Sequence, residues 1–236
     1  MRLNKFIARS GIASRREAEK LIQSAHVTIN GNVELSPYYD VNKKDVVKYD
    51  SMVIKDNQDA IIIMLNKPKG YITSMKDPLK RKIVSDLINI KERIFPIGRL
   101  DKDTTGLLLF TNQGDLALRL SHPKYNVPKI YLSIIDRPFA LWEKKKINKK
   151  VYIGQKEWGR ADIIDQKKVK GKIVVKLKLF HGKKREIRRI MYRMKRNLYS
   201  LKRIEFGPCK LGNLKEGQWR SLQNKEISIL EKYTYG

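Results

Sequence analysis

FPIGRLDKDTTGLLLFTN, residues 95–112, joins a polar turn to an apolar run with only two threonines and a glycine between them. The turn holds Arg99, Asp101 and Asp103; the run is Leu107–Phe110, closed by Thr111 and Asn112. Four consecutive apolar residues bounded by turn formers predict a short strand buried on both faces. Asp101 then lies on a loop a few residues from a rigid core element. That is where a working carboxylate belongs, because a rigid scaffold keeps a reactive loop side chain in register. The same spacing also suits a solvated turn in which Arg99 pairs with Asp101 or Asp103.

Outside this stretch the dominant feature is charge. In 236 residues, 52 Lys and Arg face 24 Asp and Glu, leaving a formal charge of +28. This exceeds what solubility requires and predicts a polyanionic partner. No apolar run approaches the length of a membrane span, and the first residues lack the apolar core of a signal peptide. Nucleic acid is therefore favoured over a membrane surface. The single cysteine, Cys209, excludes an internal disulfide and a cysteine-rich zinc site, and suits a reducing cytosol. There is no internal repeat, no Gly-rich phosphate loop and no metal-ligand cluster.

Along the chain, Leu3, Phe6 and Ile7 are spaced for a short helix that Gly11 can stop. Ser14-Arg15-Arg16-Glu17 is a capping box ahead of a helix with Ala18, Leu21, Ile22 and Ala25 on one face. Val27–Val33 reads as a hairpin about an Asn30-Gly31 type I′ turn. Ile61–Leu65 predicts a buried strand, and Val84, Leu87 and Ile88 a short helix. Gly114-Asp115 opens a helix closed by Ser121-His122-Pro123. His122 invites a general-base reading, but a lone histidine before proline suits a turn better. Lys129–Ile134 and Lys172–Phe180 alternate as strands, with another over Trp158–Ile164, after a basic helix over Trp142–Lys150. In His181–Met191, Ile187, Ile190, Met191 and Met194 stand at helical spacing, flanked by Arg185, Arg188, Arg189 and Arg193. Lys183, Lys184 and Arg185 would oppose the dipole of that helix, and an anionic partner would relieve this.

GRLDKDTTGLLLFTN resembles the GRLD motif of the bacterial rRNA pseudouridine synthases of the RsuA type, and the resemblance runs colinearly through nearly the whole chain. RLNKFIARSGIASRREAEKLI…VTINGNV resembles the S4 RNA-binding domain. NKPKGYITS resembles the family's strand and Lys-Pro loop, and Lys129-Ile130-Tyr131 its Lys-x-Tyr motif. HGKKREIRRIM resembles E-G-R-N-R-Q-V-R-R-M, with His181 replacing glutamate, Lys183-Lys184 replacing Arg-Asn and Glu186 replacing glutamine. The resemblance implies an α+β protein. A small N-terminal α/β S4-like RNA-binding domain (1–50) and a linker (51–60) would precede a catalytic domain (61–236) with a mixed, largely antiparallel sheet.

The family's roles carry over residue by residue. Asp101 matches the nucleophile, Tyr131 the aromatic residue that packs on the target base, and Arg188 the partner of the aspartate. RNA contacts are expected from Arg99, Lys129 and Ile187 near the site, from Lys67, Lys183, Arg185 and Arg189 beside it, and from Arg2, Lys5, Arg15 and Arg16 in the N-terminal domain. The reaction breaks the N-glycosidic bond of a flipped-out uridine, rotates the uracil and joins C5 to C1′. It needs no cofactor and no metal. The segment before Lys129 resembles the large-subunit branch, so the expected partner is 23S-type rRNA, met by a cytoplasmic monomer without membrane contacts. The alternative is a non-catalytic S4-domain RNA-binding or ribosome-assembly factor, which has no need for Asp101 with Tyr131 and Arg188. A DNA-binding regulator lacks a recognition helix.

Overall fold

The computed structural model describes residues 1–56 and 59–235. They form two compact units, Met1–Ile61 with Ile90–Ile94, and Ile62–Asn89 with Phe95–Gly236.

In the first unit, α1 (Leu3–Arg9) and α2 (Arg15–Gln23) precede β1 (Val27–Ile29), β2 (Asn32–Val33), β3 (Val47–Tyr49) and β4 (Met52–Val53), an antiparallel sheet in the order β2-β1-β3-β4. The capping box forms: Glu17 N–H donates to the Ser14 hydroxyl (3.2 Å), and Ser14 N–H donates to the Glu17 carboxylate (2.9 Å). Asn30 (φ 52°) and Gly31 (φ 90°) both take the positive φ that a type I′ turn demands. The core is built from Leu3, Ile7, Ala18, Ile22, Val27, Ile29 and Val47. Ala25, expected on the buried face of α2, is exposed, because the helix ends at Gln23 and Ala25 turns into the left-handed region (φ 61°). The segment read as a linker supplies β4, although nothing in its composition alternates; Asn57 and Gln58 of that segment lie outside the described residues. Arg93 belongs to this unit through space: its guanidinium donates to Ala13 O (2.6 Å) and lies 3.6 Å from Glu17.

The second unit is organised on one sheet. Its strands are β5 (Ile62–Lys67), β6 (Phe95–Pro96), β7 (Thr105–Thr111), β8 (Lys129–Ile135), β11 (Asp162–Val169), β12 (Lys172–Leu179), β13 (Leu198–Phe206), β14 (Cys209–Lys210) and β15 (Trp219–Ser221). The order is β11-β12-β8-β13-β7-β5-β15, with β6 on β7 and β14 on β13. A separate hairpin is formed by β9 (Val151–Gly154) and β10 (Glu157–Gly159). The helices are α3 (Gly114–Ser121), α4 (Leu141–Lys149), α5 (Glu186–Arg193) and α6 (Asn224–Tyr235). Gly106–Thr111 are buried without alternation, as the apolar run predicts for a strand covered on both sides. Leu107 and Leu109 join Ile62, Met64, Leu116, Leu120, Phe206 and Leu230 in one core. The strand expected over Trp158–Ile164 is broken at Arg160-Ala161, where the chain passes from β10 to β11.

Every pairing in this sheet is antiparallel except β7 with β13, where Thr105 and Gly106 face Lys202 and Arg203. At that seam the backbones come so close that a Cβ on Gly106 would lie 2.2 Å from Arg203 O, and Gly106 has φ +102°. Glycine is required there on both counts. Gly106→Ala should destabilise this unit by more than about 2 kcal/mol, since it combines a backbone clash with a disfavoured φ. All three tryptophans lie in this unit, so urea unfolding followed by tryptophan fluorescence measures it directly.

Candidate active site

The seam between β7 and β13 delivers the polar turn of the opening stretch. The loop from Leu100 to Thr104 is clamped by neighbours that hold its backbone. Lys67, at the end of β5, is fully buried, and its ammonium donates to the carbonyls of Thr104 (2.9 Å), Pro68 (3.0 Å) and Lys102 (3.2 Å). Gly70 N–H donates to Lys102 O (2.9 Å). The Thr73 hydroxyl both donates to Leu100 O (2.8 Å) and accepts from Leu100 N–H (3.1 Å). From the other side, Arg188 Nη2 donates to Asp103 O (3.0 Å) and approaches the Thr104 hydroxyl (3.4 Å).

Asp101 stands on this clamped loop with its side chain 33% exposed. Oδ2 lies 3.7 Å from Arg188 Nε and 4.0 Å from Arg185 Nη1, so two guanidinium groups face one carboxylate without a hydrogen bond to it. Arg188 Nε is buried and has no hydrogen-bond partner among the described residues. Asp101, Arg188 and Arg185 line a small cleft with Arg99, Tyr131 and Ile187. Tyr131 comes from β8, two strands from the loop, and is nearly buried; Arg99 is exposed at the cleft. Thr104, Leu201 and His181 also line it. Pairing of Arg99 with Asp101 or Asp103, the alternative reading of the turn, is not what the structure shows for Asp101, whose cations come from α5 and the residue before it.

Glu186, the first residue of α5, is buried, and its carboxylate accepts from the backbone N–H groups of Lys183 (3.0 Å) and Arg160 (3.1 Å). An amide at this position would offer one acceptor oxygen where two are used. The helix starts at Glu186, so Lys183, Lys184 and Arg185 precede it and do not occupy its first turn; the residue that does is a carboxylate, which favours the dipole.

Three residues expected to contact RNA are instead consumed by the fold. Lys67 is the loop clamp. Lys129 is buried, and its ammonium donates to Val127 O (2.9 Å) and Phe180 O (3.4 Å) above the Phe206 ring. Arg189 donates to Ile153 O (2.9 Å), Gly154 O (2.7 Å) and Lys184 O (3.2 Å) and pairs with Glu157, so four of its five N–H donors are taken by the protein. Lys183 is partly engaged, its ammonium donating to Trp158 O (2.7 Å). In the first unit Arg2, Arg15 and Arg16 are exposed and Lys5 is half-buried. His122 makes a turn contact, Nδ1 accepting from Lys124 N–H (3.3 Å). Burial pushes the Cys209 thiol up to about 12, as befits an inert core cysteine. Sequence reasoning missed Thr73 and the structural use of Lys67. The only trace of the latter is a lysine that directly ends the strand run IIMLN.

Residues 61–192 match the family model described as RNA pseudouridylate synthase. The chain belongs to this family. Its members are isomerases acting on RNA, and residues 1–47 match the S4 domain model. The chain is 39% identical to an RNA pseudouridine synthase of Aquifex aeolicus (strain VF5), over 98% of this chain and 94% of that one. It is 34% identical to the ribosomal large subunit pseudouridine synthase B of Bacillus subtilis (strain 168), over 97% and 95%. A crystal structure of a pseudouridylate synthase matches with a TM-score of 0.68 at 26% identity, covering 98% of this chain and 99% of that one.

Burial holds the ammonium groups of Lys67 and Lys129 down at about 8, against an ordinary value of 10.5. Between those values the unfolded chain binds protons that the folded chain does not, so this contribution to stability is full above 10.5 and lost as pH falls through about 8. The urea midpoint of wild type, measured from pH 8 to 10, should therefore rise relative to that of Lys67→Met, whose curve lacks the Lys67 contribution. Parallel curves would remove Lys67 as a titrating group.

Proposed function

We propose that this synthase isomerises a specific uridine of ribosomal RNA, of the large-subunit type, with Asp101 acting at C1′. The observation that carries the reading is the Asp101 carboxylate, held by its backbone and open to a cleft lined by Tyr131, Arg188 and Arg185. The glycosidic C1′–N1 bond breaks as Asp101 attacks C1′ or stabilises its developing positive charge. The freed uracil turns against Tyr131 and bonds to C1′ through C5; C5 loses its proton and N1 gains one, so nothing is oxidised and no group leaves. This chemistry calls for neither a cofactor nor a metal. Arg188 and Arg185 stabilise the carboxylate charge, and Arg99 at the cleft meets the backbone of the flipped nucleotide. The name of the Bacillus subtilis relative supports the large-subunit assignment. Residues 1–50 supply RNA affinity through exposed Arg2, Arg15 and Arg16. The same reading takes the protein as a cytoplasmic monomer.

Asp101→Asn should abolish pseudouridine formation and leave RNA affinity nearly unchanged, because one charge in +28 barely alters the field. Arg188→Met should lower the single-turnover rate by about 10²-fold or more and add little to Asp101→Asn. Residual turnover by purified Asp101→Asn would remove the aspartate from its role. If Arg188→Met weakened only binding, the arginine would be a phosphate contact instead.

A further inference from the structure

The hairpin β9–β10 has two unlike faces. Val151, Ile153 and Gly159 are buried, and Gly159 lies close against Ile190 of α5. Tyr152 and Trp158 pair across the strands on the opposite face, 43% and 49% exposed, with ring centroids 5.4 Å apart at 65°. Two cations border the pair: Lys150 Nζ lies 4.9 Å from the Trp158 ring centre, and the Arg193 guanidinium 5.5 Å from that of Tyr152. Beside Trp158 the lysines of α4 line an open groove of about 730 Å³, within the size range of small-ligand sites.

The charge of this region is one-sided. Residues 141–163 hold seven Lys and Arg against three carboxylates. All three carboxylates are engaged by the protein itself: Glu143 with Arg196, Glu157 with Arg189, and Asp162 with Asn148 and Arg160. Exposed aromatic faces interleaved with cations are what unpaired nucleic acid binds, the rings stacking on bases and the cations meeting phosphates. The hairpin is also fixed to the cleft. Arg189 of α5 holds Ile153 O and Gly154 O, and Lys183, which lines the cleft, holds Trp158 O.

We infer that Tyr152 and Trp158, with Lys150 and the lysines of α4, form a stacking platform for a single-stranded segment of the RNA whose uridine enters the cleft. The inference rests on the RNA reading above and adds a second binding site to it. The platform selects unpaired RNA, because a base already stacked in a helix presents no free face to Trp158.

The test uses the full chain and two RNA probes of equal length, a single-stranded 12-mer of mixed sequence and a 12-base-pair duplex. Affinity is measured at fixed salt for wild type, Trp158→Ala, Trp158→Phe and Lys150→Gln, with circular dichroism to confirm folding. Trp158→Ala should weaken single-strand binding about tenfold and duplex binding little, while Trp158→Phe retains most of the single-strand affinity. Lys150→Gln should reduce the salt dependence of single-strand binding by about one phosphate contact. Unchanged single-strand affinity in Trp158→Ala, or equal losses for strand and duplex, overturns the platform. So does competition by poly-aspartate as effective as that by the single strand, which would mark a general anion patch. Pseudouridine formation by wild type is measured separately. If it is absent while Trp158→Ala loses single-strand binding, the proposed reaction fails and the platform stands; if it is present while Trp158→Ala binds as wild type does, the reverse holds.

Discussion

One buried ammonium sets the geometry on which the cleft depends. Lys67 gathers three carbonyls of the loops on either side of it, two of them from the loop that bears Asp101. Carbonyls buried without a donor would each cost about 1–3 kcal/mol, so satisfying several at once offsets part of the cost of burying the ammonium, and the remainder shows as its lowered pKa. Thr73 and Arg188 add backbone ties to Leu100 and Asp103. The carboxylate itself is left out of this network, with its cations at 3.7 and 4.0 Å. That distinction suits a reacting group. A carboxylate locked in a bidentate pair would be positioned but occupied, whereas one positioned through its backbone keeps its oxygens available.

The same logic operates at the start of α5. Arg185 adopts a left-handed backbone (φ 53°), a conformation disfavoured for its residue type, and Glu186 answers with a buried carboxylate that binds two backbone N–H groups. The turn is thereby fixed, Arg185 and Arg188 come to the cleft, and Arg189 is turned onto the β9–β10 hairpin. Neighbours in sequence, Arg188 and Arg189 differ by about 100° around a helix, so one reaches the cleft and the other the hairpin.

Periodicity made much of this architecture legible. The run Leu107–Phe110, the capping box at Ser14, the Asn30-Gly31 turn and the apolar spacing of Ile187, Ile190 and Met191 each carry a local rule that the tertiary structure has no reason to override. The grouping of Asp101 with Tyr131 and Arg188 came from the resemblance; spacing alone left the turn open between a working and a solvated role. What no local rule could supply was long-range. The parallel seam of β7 with β13 joins residues 97 positions apart at Gly106–Arg203, and β4 is too short to show alternation. The burial of Lys67 and Lys129 escaped for the same reason, since a lysine that ends or begins a strand reads identically whether its ammonium meets water or a cluster of carbonyls.

A charge of +28 invites the view that every cation faces RNA, yet the interior claims some of the most distinctive ones. Lys67, Lys129, Arg196 and Arg203 are all buried, and Arg189 gives four of its five donors to protein acceptors. Arg203 donates to Leu107 O (2.8 Å) across the parallel seam, and Arg196 binds Glu143 and the carbonyls of Met194 and Pro138. A guanidinium reaches several carbonyls in one plane where backbones converge, a task no apolar side chain can perform. These cations mark the seams of the sheet and the ends of α4 and α5. Affinity for a polyanion must therefore come from the remainder, and it is unevenly spread. The exposed arginines of the first unit hold part of it, and the lysines of α4 in the second unit hold another part. Total charge sets how strongly such a protein attracts RNA, but the residues that decide where the RNA lies are those whose charges the fold has left unspent.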